Sequence, residues 1–267
     1  MRLSILMPVY NELNTIAAAI ERVRAVPLDM EIICVDDFSS DGTRDVLDSL
    51  LASGQIDKLV KHEKNKGKAA AVRAALAEAT GDVAVIQDAD LEYDPQDLVK
   101  MIAPLADGRA DAVLGSRFLG ETRRVLYYWH SLGNRVLTTT SNMLTNLNLS
   151  DMETCYKMMR TDLFKSLPLS AERFGIEPEL TARLAQAGAR VYEVPISYSG
   201  RTYAEGKKIG WKDGIAAFWH ILKANLFPPF APRYNAPRSI LDQRTPAAIA
   251  SSATSAAADK RASAGVS

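Results

Sequence analysis

The sequence predicts an α/β fold: a mostly parallel sheet flanked by helices, with an amphipathic helix towards the C-terminal end. Three observations carry this expectation. Short apolar runs alternate with helical stretches across the first 117 residues, the pattern of βαβ units. Polar residues gather at the ends of those runs, where open α/β sheets bind ligands. The 267-residue chain, 47% hydrophobic and 24% charged, is also long enough to bury a sizeable core in one large domain.

The elements follow in order. Leu3–Met7 reads as a strand ending at Pro8, and Asn14–Val26 as a helix with Ile16, Ile20 and Val23 on one side. Glu31–Val35 is a second strand, closed by Asp36-Asp37, and Asp41 is a plausible cap for a helix running to Leu51. Ile56–Val60 is a third strand, the Ala-rich segment Gly67–Ala79 a helix by propensity, and Val83–Ile86 a fourth strand leading into Asp88-Ala89-Asp90. Asp97–Leu105 is a helix, and Asp111–Leu114 a fifth strand leading to Gly115-Ser116-Arg117. In the second half, Leu132, Val136, Met143 and Leu147 mark one face of a long helix. Thr154–Met159 and Val191–Ser197 read as strands, with a helix Pro178–Ala187 between them, stopped by Gly188. Trp211, Ile215, Phe218, Trp219, Leu222 and Leu226 form an amphipathic stripe that Pro228-Pro229 ends. One domain is expected over 1–230, and the Ala- and Ser-rich segment 235–267 reads as a disordered tail.

Charge and cysteine content exclude several classes. Lys+Arg and Asp+Glu balance at 32 each, which argues against a nucleic-acid binder and leaves any anion site local. Two cysteines make neither a disulfide scaffold nor a Cys-rich zinc site, and a reducing, cytoplasmic setting fits. No apolar run reaches the roughly 18–20 residues of a spanning helix. The stretch Arg123–Trp129 and the helix from Trp211 have interfacial character, which predicts reversible docking on an anionic membrane surface, with ordinary core packing as the other reading.

Asp88-Ala89-Asp90 is the sharpest motif. Residues two apart in an extended segment point the same way, so two carboxylates meet at a strand end. Such oxygens suit Mg²⁺ or Mn²⁺, and Glu92 could add a third; a polar turn is the plainer reading. At Asp36-Asp37, one acid could accept hydrogen bonds from a base or ribose, or both could serve the turn. Gly67-Lys68 opens a helix and could hold an anion, or be simply a basic loop. Arg201, Lys207 and Lys208, with Glu205, fall within eight residues that could close over a diphosphate or form a solvated loop. Glu177 and Glu179 sit at a helix start, where they either complement the dipole or, for Glu179, contact an acceptor or act as its base.

Together these motifs resemble the family 2 glycosyltransferases of the GT-A fold. The matches run from Pro8-Val9-Tyr10-Asn11-Glu12 through Val35-Asp36-Asp37, Asp41-Gly42-Thr43, Asn65-Lys66-Gly67-Lys68 and Asp88-Ala89-Asp90 to Gly115-Ser116-Arg117. Ser150-Asp151 to Lys157, Glu193 to Tyr198, and Arg201-x-Tyr203-x-Glu205-x-Lys207 look closest to the dolichol- and polyprenyl-phosphate mannose or glucose synthases. Met152-Glu153-Thr154-Cys155-Tyr156 departs from that branch's common pattern, and the C-terminal membrane spans of many members are missing. The resemblance implies that Pro8, Tyr10, Glu12 and Asp37 hold a nucleotide and that Asp88, Asp90 and Glu92 hold the metal. It further implies that Arg117, with Arg135, faces an acceptor phosphate and that Arg201 and Lys207 clamp the donor phosphates.

The implied activity is inverting hexose transfer from a UDP- or GDP-sugar to a polyprenyl phosphate. A sugar hydroxyl acceptor would instead require a carboxylate base, with Glu179 or Asp151 as candidates. A sugar nucleotidyltransferase is disfavoured, because that class opens with a Gly-rich, Arg-containing loop where this chain reads Pro8 to Glu12. The intact Asp88/Asp90 pair weighs against a catalytically silent binding module.

Overall fold

The computed structural model describes residues 1–120, 124, 127–171, 175–200 and 211–235, with backbone only at 211–213. The elements run β1 (Leu3–Val9), α1 (Ile16–Arg24), β2 (Met30–Asp36), α2 (Thr43–Ala52), β3 (Lys58–Lys61), α3 (Lys68–Glu78) and β4 (Val83–Ile86). They continue with α4 (Leu98–Ala106), β5 (Ala112–Ser116), α5 (Tyr128–Thr145), β6 (Lys157–Arg160), α6 (Thr161–Ser166), α7 (Ile176–Ala187), β7 (Val191–Pro195) and α8 (Trp211–Leu226). The predicted tail lies outside the described residues from 236 onward, as do Arg123, Arg201 and Lys207.

Seven strands form one sheet in the order β3-β2-β1-β4-β6-β5-β7. β2, β4 and β5 are buried along their whole length, and β1 nearly so. That explains their largely apolar sequences, since a parallel sheet is covered on both faces. The small residues of α3 allow close approach to the sheet: Ala69, Ala71, Val72 and Ala75 are fully buried. At the end of the sheet remote from the polar strand ends, Glu31 accepts from Ser4 Oγ (2.6 Å), Thr80 N (2.6 Å) and Gly81 N (3.0 Å), which ties β1, β2 and the start of β4 together.

One strand runs against the rest. β6 is antiparallel to both β4 and β5, with Ala84↔Met159↔Ala112 in register. It carries residues from the second half of the chain into the middle of the sheet, beside the strand ends that bear Asp88 and Arg117.

Two helices turn much of their apolar surface outward. The side of α5 that faces inward carries Thr138 and Ser141, whereas Trp129, Val136 and Met143 are exposed. On α8 the buried residues are Ala217, Ile221 and Ala224, and Ile215, Phe218 and Trp219 face out. Trp129, Leu132, Val136, Leu137, Ile215 and Phe218 line an open groove of about 470 Å³ between the two helices.

Candidate active site

The carboxyl ends of β1 and β2 carry two exposed rings. Tyr10 is 45% exposed and Phe38 47% exposed, and Phe38 holds a left-handed backbone (φ 69°) that presents its ring beyond the strand end. Pro8 is partly buried within β1. Glu12 is held locally: its N–H donates to Thr43 Oγ1 (3.0 Å) and its carboxylate accepts from Thr15 Oγ1 (2.7 Å). Asp36 is fully buried and pairs with Arg44 at 2.6 Å.

Asp37 is held by the loop that leads into α3. It is 3% exposed and accepts from Lys66 N (2.8 Å) and Gly67 N (2.7 Å), and its Oδ1 lies 2.7 Å from His62 Nδ1. Both oxygens accept from the 62–67 loop, which ties Asp37 to the start of α3. Gly67, the N-cap of α3, has φ 85°, a conformation that suits glycine.

Lys68, the first residue of α3, reaches back to the end of β4. Its Nζ lies 2.8 Å from Asp88 Oδ1, 2.9 Å from Glu177 Oε1 and 3.5 Å from Cys155 Sγ. Burial disfavours its charge, but Asp88, Cys155 and Glu177 outweigh that, and the ammonium titrates well above its usual range. Asp90 is half-buried and accepts from Glu92 N at 3.2 Å. Glu92, expected as a third metal oxygen, accepts from the Tyr198 hydroxyl at 2.7 Å. No group of three His, Cys, Asp or Glu side chains that could hold a metal occurs among the described residues. Asp88 and Asp90 still offer two hard carboxylates at one strand end, a donor set that suits a divalent cation whose remaining ligands are phosphate oxygens and water.

Arg117 follows β5. Asp151 grips it through Nε (2.6 Å) and Nη2 (2.7 Å), and Nη2 lies 3.3 Å from Asn134 Oδ1 on α5. Burial opposes the guanidinium charge; Asp151 more than offsets it and holds Arg117 above its ordinary range. Burial likewise opposes ionisation of Asp151, yet the Arg117 pair keeps that carboxyl below its ordinary range. Asp151 is positioned in turn by Glu193 on β7, which accepts from Asp151 N (3.2 Å) and Ser150 N (2.9 Å). An aromatic wall backs the cation: Arg117 lies 5.1 Å from the Tyr198 ring, which lies 5.2 Å from Tyr93, itself 4.7 Å from Tyr156. Arg135 is exposed on α5.

Of the paired acids at α7, Glu177 and not Glu179 faces Lys68. Glu179 is 3% exposed and accepts from Ser170 N (3.0 Å), Ser170 Oγ (2.9 Å) and Ala171 N (2.7 Å). It fastens a loop, and it is no more available as a base than Asp151 is.

Sequence patterning does not single out His62, Phe38 or Glu153. Glu153 is the notable omission, because its Oε1 is enclosed without a hydrogen-bond partner. Burial, then the charge of Glu177, pushes its carboxyl up to about 7, against the opposing pull of Lys157 and Arg117. The only signal for it in the sequence is the departure at Met152–Tyr156.

Comparison with known proteins agrees with this architecture. An undecaprenyl-phosphate mannosyltransferase from Micrococcus luteus is 28% identical over 252 residues, 85% of this chain and 99% of that one. A dolichol-phosphate mannosyltransferase from Pyrococcus furiosus is 27% identical over 215 residues, 79% of this chain and 60% of that one. A dodecaprenyl-phosphate galacturonate synthase from Rhizobium johnstonii is 25% identical over 88% of this chain and 69% of that one. Among solved structures, glucosyl-3-phosphoglycerate synthase from Mycobacterium tuberculosis, crystallised with Mn²⁺, UDP and glucosyl-3-phosphoglycerate, superposes with a TM-score of 0.65 at 20% identity, covering 85% of this chain and 81% of that one. The same enzyme has been crystallised with Mg²⁺ and UDP. That likeness establishes the GT-A fold. The profile of glycosyl transferase family 2 matches residues 4–167, well over half of the chain, and the chain therefore belongs to glycosyl transferase family 2.

Proposed function

We propose that this glycosyltransferase moves a hexose, with inversion, from a UDP- or GDP-sugar to a polyprenyl phosphate. The observation that carries the acceptor is the place of Arg117. Its guanidinium is bonded to Asn134 of α5, and the adjacent Gly133 and the nearby Leu137 line the apolar groove against α8. A cation beside an outward-facing apolar groove fits an amphiphile with an anionic head and a hydrocarbon tail. The names of the polyprenyl-phosphate relatives support the same reading. A hydroxyl acceptor would need a base, and both carboxylates expected to supply one, Asp151 and Glu179, are engaged elsewhere.

In this reading Tyr10 and Phe38 flank the nucleobase, and Pro8 and Glu12 border its pocket. Asp37 acts through the 62–67 loop. Asp88 and Asp90 would hold Mg²⁺ or Mn²⁺, which would supply compensation for charge developing on the leaving nucleoside diphosphate. Lys68, with its charge secured by Asp88 and Glu177, adds a fixed cation at that end. The groups assigned to the donor phosphates, Arg201 and Lys207, lie outside the described residues. Arg117, braced by Asp151 and Glu193, positions the acceptor phosphate. A phosphate monoester has a second pKa of about 6, so it reaches the site largely ionised and needs no base. The exposed faces of α5 and α8 rest the enzyme on the membrane that holds the lipid. Among the described residues no helix is long and apolar enough to cross it.

The test is a panel of UDP- and GDP-sugars with short-chain polyprenyl phosphate and Mn²⁺ or Mg²⁺, read as nucleoside diphosphate release and lipid-linked sugar. Metal-dependent lipid product is expected. Asp90→Ala should lower its rate by at least about 10²-fold, the scale of losing one strong stabiliser of developing charge. Donor binding without any lipid product would sink the acceptor assignment.

A further inference from the structure

The loop from Asp151 to Cys155 joins the two ends of the site. Its first residue grips Arg117, and its last touches Lys68 Nζ, which bonds Asp88. Two successive side chains in the middle of this loop, Glu153 and Thr154, each have an enclosed oxygen, Oε1 and Oγ1, without a hydrogen-bond partner. Buried polar atoms in native proteins are nearly always satisfied, so two adjacent orphans mark a place where something else supplies the bonds. Glu153 remains partly accessible to solvent, so a ligand can reach it.

The surrounding charges restrict what that ligand is. Glu177 of α7 and Asp151 bear on Glu153 from one sign, and Lys157 of β6 and Arg117 from the other. Lys157 is fully buried and already donates to Met152 O at 2.6 Å. A phosphate would be repelled by the acids, whereas a neutral hydroxyl can donate to a carboxylate oxygen here. The group that must lie between a donor diphosphate at Asp88 and an acceptor phosphate at Arg117 is the sugar in transit.

We propose that Glu153 accepts a hydrogen bond from a hydroxyl of the transferred hexose and so helps to set which sugar the enzyme takes. A carboxyl titrating near 7 keeps an acceptor oxygen in either protonation state. The inference rests on the nucleotide-sugar donor assigned above and is independent of the acceptor.

Calorimetric titration of the Mn²⁺-loaded full chain tests it, using UDP, GDP, their hexose conjugates and singly deoxygenated hexose analogues. The wild type should prefer its hexose over one deoxy analogue by about 10- to 100-fold, the worth of a hydrogen bond to a charged group. Glu153→Ala should lose affinity for the parent donor by that factor, bind the deoxy analogue as the wild type does, and bind the bare nucleoside diphosphate unchanged. Glu153→Gln, which preserves shape and an acceptor oxygen, should retain most of the selectivity and guards against misfolding. Equal loss for the bare nucleotide would overturn the proposal by making the effect structural. So would unchanged donor affinity and selectivity with a collapsed turnover rate, the mark of a general base. A wild type that binds no nucleotide would remove the donor assignment itself, and this inference with it.

Discussion

At the scale of single residues, the site is a set of carboxylates with unequal duties. Asp37, Asp151 and Glu179 accept several hydrogen bonds from the protein, Asp88 shares a lysine with Glu177, and Oε1 of Glu153 is left wanting a partner. This carries a consequence for stability. In the unfolded chain Glu153 should titrate near its ordinary 4.5, and in the fold it titrates at about 7. The folded state therefore holds the extra proton between those values, and the contribution of Glu153 to stability falls as pH rises through that window. The groups facing it are Glu177, Lys157, Arg117 and Asp151. Glu153→Gln should thus match the wild type near pH 4 and exceed it by a few kcal/mol, at most about 3, above pH 7. Urea unfolding at several pH values measures this, and a gap independent of pH would refute it. The strand-end acids were legible in the sequence because Asp88 and Asp90 follow closely on the apolar run Val83–Ile86. Their partners were not. Lys68 meets Asp88 across 20 positions, and Glu177 and Glu179 lie about 200° apart on a helix whose starting phase no pattern reveals.

Among the elements, the strands that position these residues depend on close packing. Gly115, next to the last residue of β5, admits no side chain: an added Cβ would lie 2.7 Å from Ile196 Cγ2 and 3.1 Å from Tyr156 Cβ. Gly115→Ala should force β5 away from Ile196, beyond β7, at a cost of about 1–3 kcal/mol. It should also disturb the Arg117–Asp151 clasp two residues on, lowering acceptor affinity more than nucleotide affinity. Thermal melts and separate titrations of the two ligands would test this, and an unaltered melting temperature would count against it. The strands and helices from β1 to β5 were readable because each sheet strand is a short apolar run and the helices between them keep their own period or propensity. The direction of β6 was not readable, since period-two patterning is the same in parallel and antiparallel strands. The stripes of α5 and α8 were visible too, but an apolar stripe says that a helix has two sides, not which one the core takes. Here Thr138, Ser141, Ala217, Ile221 and Ala224 face inward, and Trp129, Val136, Met143, Ile215, Phe218 and Trp219 face out.

For the whole molecule, that arrangement concentrates exposed apolar residues on α5 and α8: Trp129, Val136, Met143, Ile215, Phe218 and Trp219. Patches of this kind mark interaction surfaces. Flotation with anionic liposomes should recover the protein with the vesicles. Replacing Trp129 and Trp219 together by Ser should reduce partitioning by about tenfold or more per ring, with stability changed by less than about 0.5 kcal/mol each, as for exposed positions. Protein that stays at the bottom of the gradient with both tryptophans intact would dismiss the membrane face. The balanced charge was plain from composition. The groove was not, because its two walls, α5 and α8, are separated in sequence by β6, α6, α7 and β7 and meet only through tertiary packing.

The antiparallel β6 also governs how this chain can come into being. β5 pairs with neither β1 nor β4; its sheet neighbours are β6 and β7, and β6 is the sole bridge to the other half. A nascent chain that has emerged only as far as Ser116 can assemble β1 to β4, but its fifth strand has nowhere to dock. The Asp88 and Arg117 ends of the site are first brought into register when Lys157–Arg160 slides between them. Synthesis thus makes Arg117 and the strand before it wait for the central strand.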